Sequence, residues 1–140
     1  MRLPAYTDIP GGLSPSGVPA FRVIKDGLGQ VKELINEQLL CRSDEIGVKR
    51  LVERLNDCGG KMIRPGLVLL AGRAVSKITD KHIRIAAIME MIHNATLLHD
   101  DVIDEGQNRR GQATVNSLWG NESAVLLGDF LLSKVFKMCA

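Results

Sequence analysis

The 140-residue chain is short of aromatic side chains: one Trp, one Tyr and three Phe, 4% in all. Its 45% hydrophobic content therefore rests mainly on Leu, Ile, Val, Ala and Met, a mixture that favours helices over a sandwich or barrel. It has no Cys-x-x-Cys pair. Cys41, Cys58 and Cys139 are odd in number and far apart, which argues against a disulfide frame or a zinc site and for reduced thiols in the cytoplasm. No apolar run approaches the ~18 residues needed to cross a bilayer, and the opening "MRLPAYTDIPGGLSPSG" has no apolar stretch of the secretory kind. There is also no block of Lys/Arg, and the net charge is only +2, which argues against a nucleic-acid partner. Any positive charge that matters must be local.

What is present is helical periodicity. Residues 1–17 carry three of the five prolines and three glycines and read as a flexible leader; residues 18–140 read as one domain. Ile24, Leu28, Val31 and Ile35 recur at helical spacing, which predicts one helix from Val18 to about Leu40. A second helix is expected in "SDEIGVKRLVERLNDCGG", capped by Ser43 or Asp44 and stopped by Gly59-Gly60. Its inward face would be Val48, Leu51, Val52 and Leu55. A third follows in "KMIRPGLVLLAGRAVS", with Pro65 in its first turn and Lys61 and Arg64 at or before an N-terminus that favours anions. The longest helix is expected from 80 to about 105, capped by Thr79 or Asp80. It is apolar on every side, which predicts a central place covered by neighbours. A polar loop over 106–112 leads to another apolar helix from Asn121. No stretch alternates as a strand would, so the fold class is all-α.

The run "NATLLHDDVIDEGQNRRGQ" carries the chemistry. Asp100 and Asp104 are i, i+4 and share one helix face, with Asp101 turned about 100° away. Two like charges so placed are unfavourable unless a divalent cation joins them, and an all-carboxylate set suits Mg²⁺ or Mn²⁺. His93 points to the same side, and Arg109 and Arg110 follow the helix end. With Lys61 and Arg64 they make an acidic floor ringed by cations, as one or more diphosphates require. Plainer readings exist for each piece taken alone. An acidic helix end is as readily a solvated terminus, Arg-Arg a surface pair, and His93 a hydrogen-bonded core residue. The His99-Asp100 dipeptide also fits a metal phosphohydrolase, which would need further His and Asp ligands on other helices. Asp129, in an oily helix, fits a polar network better than a substrate contact.

Three segments, in order, resemble the trans-isoprenyl diphosphate synthases (polyprenyl synthetases). "GGKMIRP" is similar to that family's G-G-K-x-x-R-P element. "MEMIHNATLLHDDVIDEGQNRRG" resembles its first aspartate-rich motif with the Arg-Arg-Gly that follows, and "GNESAVLLGDFLLS" resembles the next helix. The resemblance implies an all-α bundle of the isoprenoid synthase type and Mg²⁺-dependent, head-to-tail condensation of isopentenyl diphosphate with an allylic diphosphate. It also implies a homodimer. In this sequence Asp100 and Asp104 would hold Mg²⁺ on the allylic diphosphate, with Asp101 in support and Arg109 as a direct contact. Lys61, Arg64, His93 and Arg110 would hold isopentenyl diphosphate. Ala95 and Thr96, without an aromatic, would leave a path for a growing chain, as in the long-chain synthases. The family's second aspartate-rich motif is not among these residues. The expectation is therefore an N-terminal portion, inactive alone, with a non-catalytic partner subunit as the alternative.

Overall fold

The computed structural model describes residues 19–39 and 61–140. The leader over 1–17, the second helix over 43–58 with its caps, the Gly59-Gly60 stop, Cys41 and Cys58 lie outside the described residues. In chain order the elements are α1 Pro19–Arg22, α2 Lys25–Leu39, α3 Ile63–Val75, α4 Asp80–Ile103, β1 Asn108–Arg109, β2 Gln112–Ala113, α5 Val115–Trp119 and α6 Asn121–Cys139.

The single helix expected up to Leu40 is two. A tight turn separates α1 from α2, with the Ile24 N–H donating to the Phe21 carbonyl at 3.3 Å and the Leu28 N–H to the Ile24 carbonyl at 2.9 Å. The apolar spacing still marks the inner face: Ile24, Val31, Ile35 and Leu39 are buried. Sequence periodicity is indifferent to such a break, because the buried stripe begins at Ile24 in the turn and continues along α2. Pro65 sits in the first turn of α3, as expected, where its missing N–H costs nothing.

α4 is the longest helix and packs against α2, α3 and α6. Its N-cap is Thr79, and its start is tied by the His82 ring, whose Nδ1 accepts from the Thr79 N–H at 3.1 Å. The same ring lies on Gly72 of α3, where a Cβ would collide with it. Ile83, Ala86, Ala87, Met91, Ala95 and Leu98 form the buried side. The expectation that α4 is covered all round does not hold among the described residues. Ile85, Met89, Thr96, Asp100 and Asp104 are exposed. The first four fall within about 60° of one another at ~100° per residue, so they make one open stripe opposite the core side.

The second difference is in the polar loop. Residues 106–112 are not irregular: β1 and β2 pair antiparallel, Asn108 with Ala113 and Arg109 with Gln112. Arg110 and Gly111 form the two-residue tip, with φ 53° and 78°. Two successive positive φ values match the twist of a tight hairpin, which is why glycine follows the arginines. The fold class stays all-α around this one small hairpin.

Candidate functional site: an acidic helix end faced by arginines

The C-terminal end of a helix carries partial negative charge, so three aspartates there need compensation. Asp101 has it. Its side chain, 12% exposed, accepts from Arg109 Nη2 on Oδ1 at 2.6 Å and from Arg109 Nε on Oδ2 at 3.2 Å, a bidentate pair of the strong, charge-assisted kind. This bond is the main cause holding the Arg109 guanidinium above its ordinary pKa. Asp100 and Asp104 remain on the exposed side, one turn apart, with the Asp104 N–H donating to the Asp100 carbonyl at 2.8 Å.

The backbone beyond α4 explains how Arg109 reaches back. Asp104 caps the helix, Glu105 adopts φ 50°, and the Gly106 N–H returns to the Asp101 carbonyl at 2.8 Å. The Glu105 N–H returns to the Val102 carbonyl at 3.3 Å. These two bonds are a Schellman closure, here with glutamate where glycine is usual. Side chains from the start of α5 then fix the hairpin base. Thr114 Oγ1 donates to the Gly106 carbonyl at 2.7 Å, and Asn116 Nδ2 donates to the carbonyls of Asp101 and Gly106, both at 3.1 Å. Thr114 and Asn116 were invisible as site residues because their partners are backbone carbonyls, which no motif spells out.

Arg64, Arg110 and Arg109, with Asp100, all bear on His93. The His93 ring is held below its ordinary pKa by partial burial first, then by Arg64, Arg110 and Arg109, with Asp100 opposing. Lys61 precedes α3 and is exposed. Thr96 is exposed on the Asp100 stripe, its hydroxyl turned to the His93 carbonyl at 2.8 Å. Ala95 has no exposed surface and lies in the core instead. Below Thr96 the stripe continues as Met89 and Ile85, so a polar head and an apolar wall share one helix face.

Two further residues of α4 take places that the motifs do not spell out. Glu90 is the one charged residue between Arg84 and His93, and it is buried. Burial raises its carboxyl above the ordinary range, while Arg64 and Arg110 pull it down. His99 reaches α6: Nε2 lies 3.3 Å from the Val125 carbonyl and 3.6 Å from Asp129, and the ring covers Gly128. That bridge puts Asp129 in a polar contact between helices. Among the described residues no three His, Cys, Asp or Glu side chains are grouped as a closed metal cage.

The family model described as Polyprenyl synthetase matches residues 47–140, well over half the chain. The chain belongs to the polyprenyl synthetase family. The octaprenyl diphosphate synthase of Escherichia coli is 47% identical over 108 residues, covering 77% of this chain and 33% of that protein. Solanesyl diphosphate synthase 2 of Arabidopsis thaliana is 40% identical over 125 residues, covering 81% and 28%. Among solved structures, a decaprenyl diphosphate synthase from Rhodobacter capsulatus superposes with a TM-score of 0.78 at 39% identity, covering 85% of this chain and 36% of that one. A polyprenyl synthase from Caulobacter crescentus, complexed with calcium and isoprenyl diphosphate, gives 0.78 at 37% identity, covering 86% and 36%. The chain thus spans about a third of the length of the curated relatives it matches. The expected all-α fold of the isoprenoid synthase type is borne out by these polyprenyl synthetase structures, and no described helix is long and apolar enough to cross a membrane.

Proposed function

We propose that this chain serves Mg²⁺-dependent, head-to-tail condensation of isopentenyl diphosphate with an allylic diphosphate, leading to a long-chain trans-prenyl product. One observation carries the reading: Asp100 and Asp104 stay exposed at a helix end, while Arg109 is drawn to the same end by its pairing with Asp101. Charge of both signs left at one exposed place is what a metal–diphosphate complex would satisfy. Hard carboxylate oxygens, one turn apart, fit Mg²⁺ or Mn²⁺ better than zinc. The calcium and isoprenyl diphosphate carried by the Caulobacter relative are the same pair of ligand types.

Each residue then has a task. Asp100 and Asp104 would hold the metal, which when bound would neutralise negative charge on the departing diphosphate. Asp101 does not compete for it, because Arg109 already occupies both its oxygens; it aims Arg109, whose Nη1 takes no part in that pair, toward the allylic diphosphate. Lys61, Arg64, His93 and Arg110 would bind isopentenyl diphosphate on the α3 side. The stripe Thr96, Met89 and Ile85 offers the prenyl tail a dry wall, which protects a cationic centre from water. Thr96, rather than buried Ala95, is the residue that would meet the chain first. The names of the relatives support a long product: octaprenyl, solanesyl and decaprenyl. A homodimer is part of the same reading, with Leu126 and Phe136 of α6 exposed and suited to association.

The test is Asp100→Ala in the full-length protein. Mg²⁺-dependent incorporation of labelled isopentenyl diphosphate should be abolished with melting little changed, because the substitution relieves like-charge and dipole repulsion. Surviving activity would refute the metal assignment. Lys61→Ala should raise KM for isopentenyl diphosphate above all, and Arg109→Ala KM for the allylic substrate. Equal effects on both substrates would contradict that division.

A further inference from the structure

Two buried polar residues, Thr114 and Asn116, stand at the root of the hairpin that carries Arg109. A lone two-stranded hairpin has little stability of its own in water, and each strand of this one is two residues long. Where Arg109 comes to lie is therefore decided at the root. There the Asp101 carbonyl accepts from Asn116 Nδ2, and the Gly106 carbonyl from Asn116 Nδ2 and Thr114 Oγ1. The Gln107 carbonyl accepts from the Thr114 N–H at 3.1 Å and from Ser117 Oγ at 3.2 Å. Asp101 is thus held twice, through its carbonyl by Asn116 and through its carboxylate by Arg109.

The Asn116 amide is only half used. Its Nδ2 bridges two carbonyls, while Oδ1 is buried with no hydrogen-bond partner among the described residues. Turning the amide over would set Oδ1 against both carbonyl oxygens, so the orientation is fixed. An acceptor buried unpaired costs free energy. The two carbonyls do not need Asn116 to be satisfied: that of Asp101 also accepts the Gly106 N–H, and that of Gly106 the Thr114 hydroxyl. Pairing of buried polar groups therefore does not account for an asparagine here. What its two donors do is tie the last turn of α4 to Gly106, three residues before Arg109.

We infer that Asn116, together with Thr114, is a positioning residue: it fixes the hairpin root so that Arg109 stays on Asp101, at the helix end where Asp100 and Asp104 lie, in place for the allylic diphosphate. The inference rests on the reading of Arg109 as a contact of that diphosphate. A cation already in place loses less freedom when its ligand arrives. Arg109 is 39% exposed, so water competes for its donors whenever the root loosens. Isopentenyl diphosphate should feel the change less, because Lys61, Arg64 and His93 lie outside the hairpin.

Asn116→Leu keeps the approximate size and removes both donors along with the unpaired oxygen, and each carbonyl keeps another partner. Tm should therefore hold. In the full-length protein, labelled on its arginines for NMR, the Arg109 Nε–H should exchange with solvent about tenfold faster than in the wild type. Calorimetric titration with farnesyl diphosphate and Mg²⁺ should show about tenfold weaker binding, and with isopentenyl diphosphate, without divalent cation, a loss below about threefold. Thr114→Val should act in the same direction, and Thr114→Ser, which keeps the hydroxyl, should stay at wild-type values. A merely structural pair gives a lower Tm with exchange and affinities unchanged. Unchanged exchange at Arg109 in Asn116→Leu overturns the inference, as does an equal loss for both diphosphates. Faster exchange with unchanged affinity for farnesyl diphosphate refutes Arg109 as a ligand, a separate failure that takes the binding role of Asn116 with it.

Discussion

Arg109→Ala would leave the Asp101 carboxylate, 12% exposed, without its bidentate partner. A charged hydrogen bond lost at such a site costs about 1.5–3 kcal/mol, so urea denaturation should show a loss in that range. Asp101→Asn should cost less, because Arg109 is 39% exposed and water can take over its donors. His93 makes stability depend on pH. The fold lowers its pKa, so the unfolded chain binds the proton more readily. The His93 contribution is full above its ordinary value near 6.5 and is lost as pH falls from there toward the folded-state value. His93→Gln should therefore flatten the fall in Tm just below pH 6.5, as scanning calorimetry at stepped pH would show.

Two glycines set how the elements meet. Gly128 on α6 leaves room for the His99 ring, which spans from α4 to the Val125 carbonyl. Gly128→Ala would push that ring out and pry the two helices apart, at about 1–3 kcal/mol for an overpacked contact; a thermal melt measures it. Gly111→Ala would place a Cβ at φ 78°, a left-handed conformation costing roughly 1–2 kcal/mol, and should loosen the hairpin that holds Arg109. How legible each element was follows from the kind of force that forms it. Helices α3, α4 and α6 were readable because apolar spacing and terminal signals such as Pro65 and Thr79 are local. The hairpin at 108–113 was not, because it is held by Thr114 and Asn116 through backbone carbonyls rather than by alternating side chains. The aspartates and arginines were visible as a group, but their division of labour was not. That Asp101 is turned inward to Arg109 while Asp100 and Asp104 face out depends on where α6 and the hairpin lie around α4. The burial of Glu90 escaped for the same reason, since it is set by the elements packed around α4.

Taken whole, the described fold is built around one two-faced helix. The inner side of α4 holds the core with α2, α3 and α6, and its open side runs from the carboxylates Asp100 and Asp104 through Thr96 to Met89 and Ile85. Under the proposed function the charged head and the oily tail of one substrate would lie along that single face, and a bulky side chain at Thr96 would stand across the tail. Thr96→Phe in the full-length protein should shorten the product while the first condensation continues, as chromatography of labelled products would show. Ala95→Phe should instead unfold the core, because Ala95 has no exposed surface. The central claim is that Asp100 and Asp104 recognise a diphosphate through a divalent cation. Calorimetric titration of the full-length protein with inorganic diphosphate, with and without Mg²⁺, tests it most directly, in wild type and in the Asp100→Asn/Asp104→Asn double variant. Binding strengthened by Mg²⁺ in the wild type and insensitive to Mg²⁺ in the double variant is the predicted result; the same Mg²⁺ dependence in both proteins would contradict it.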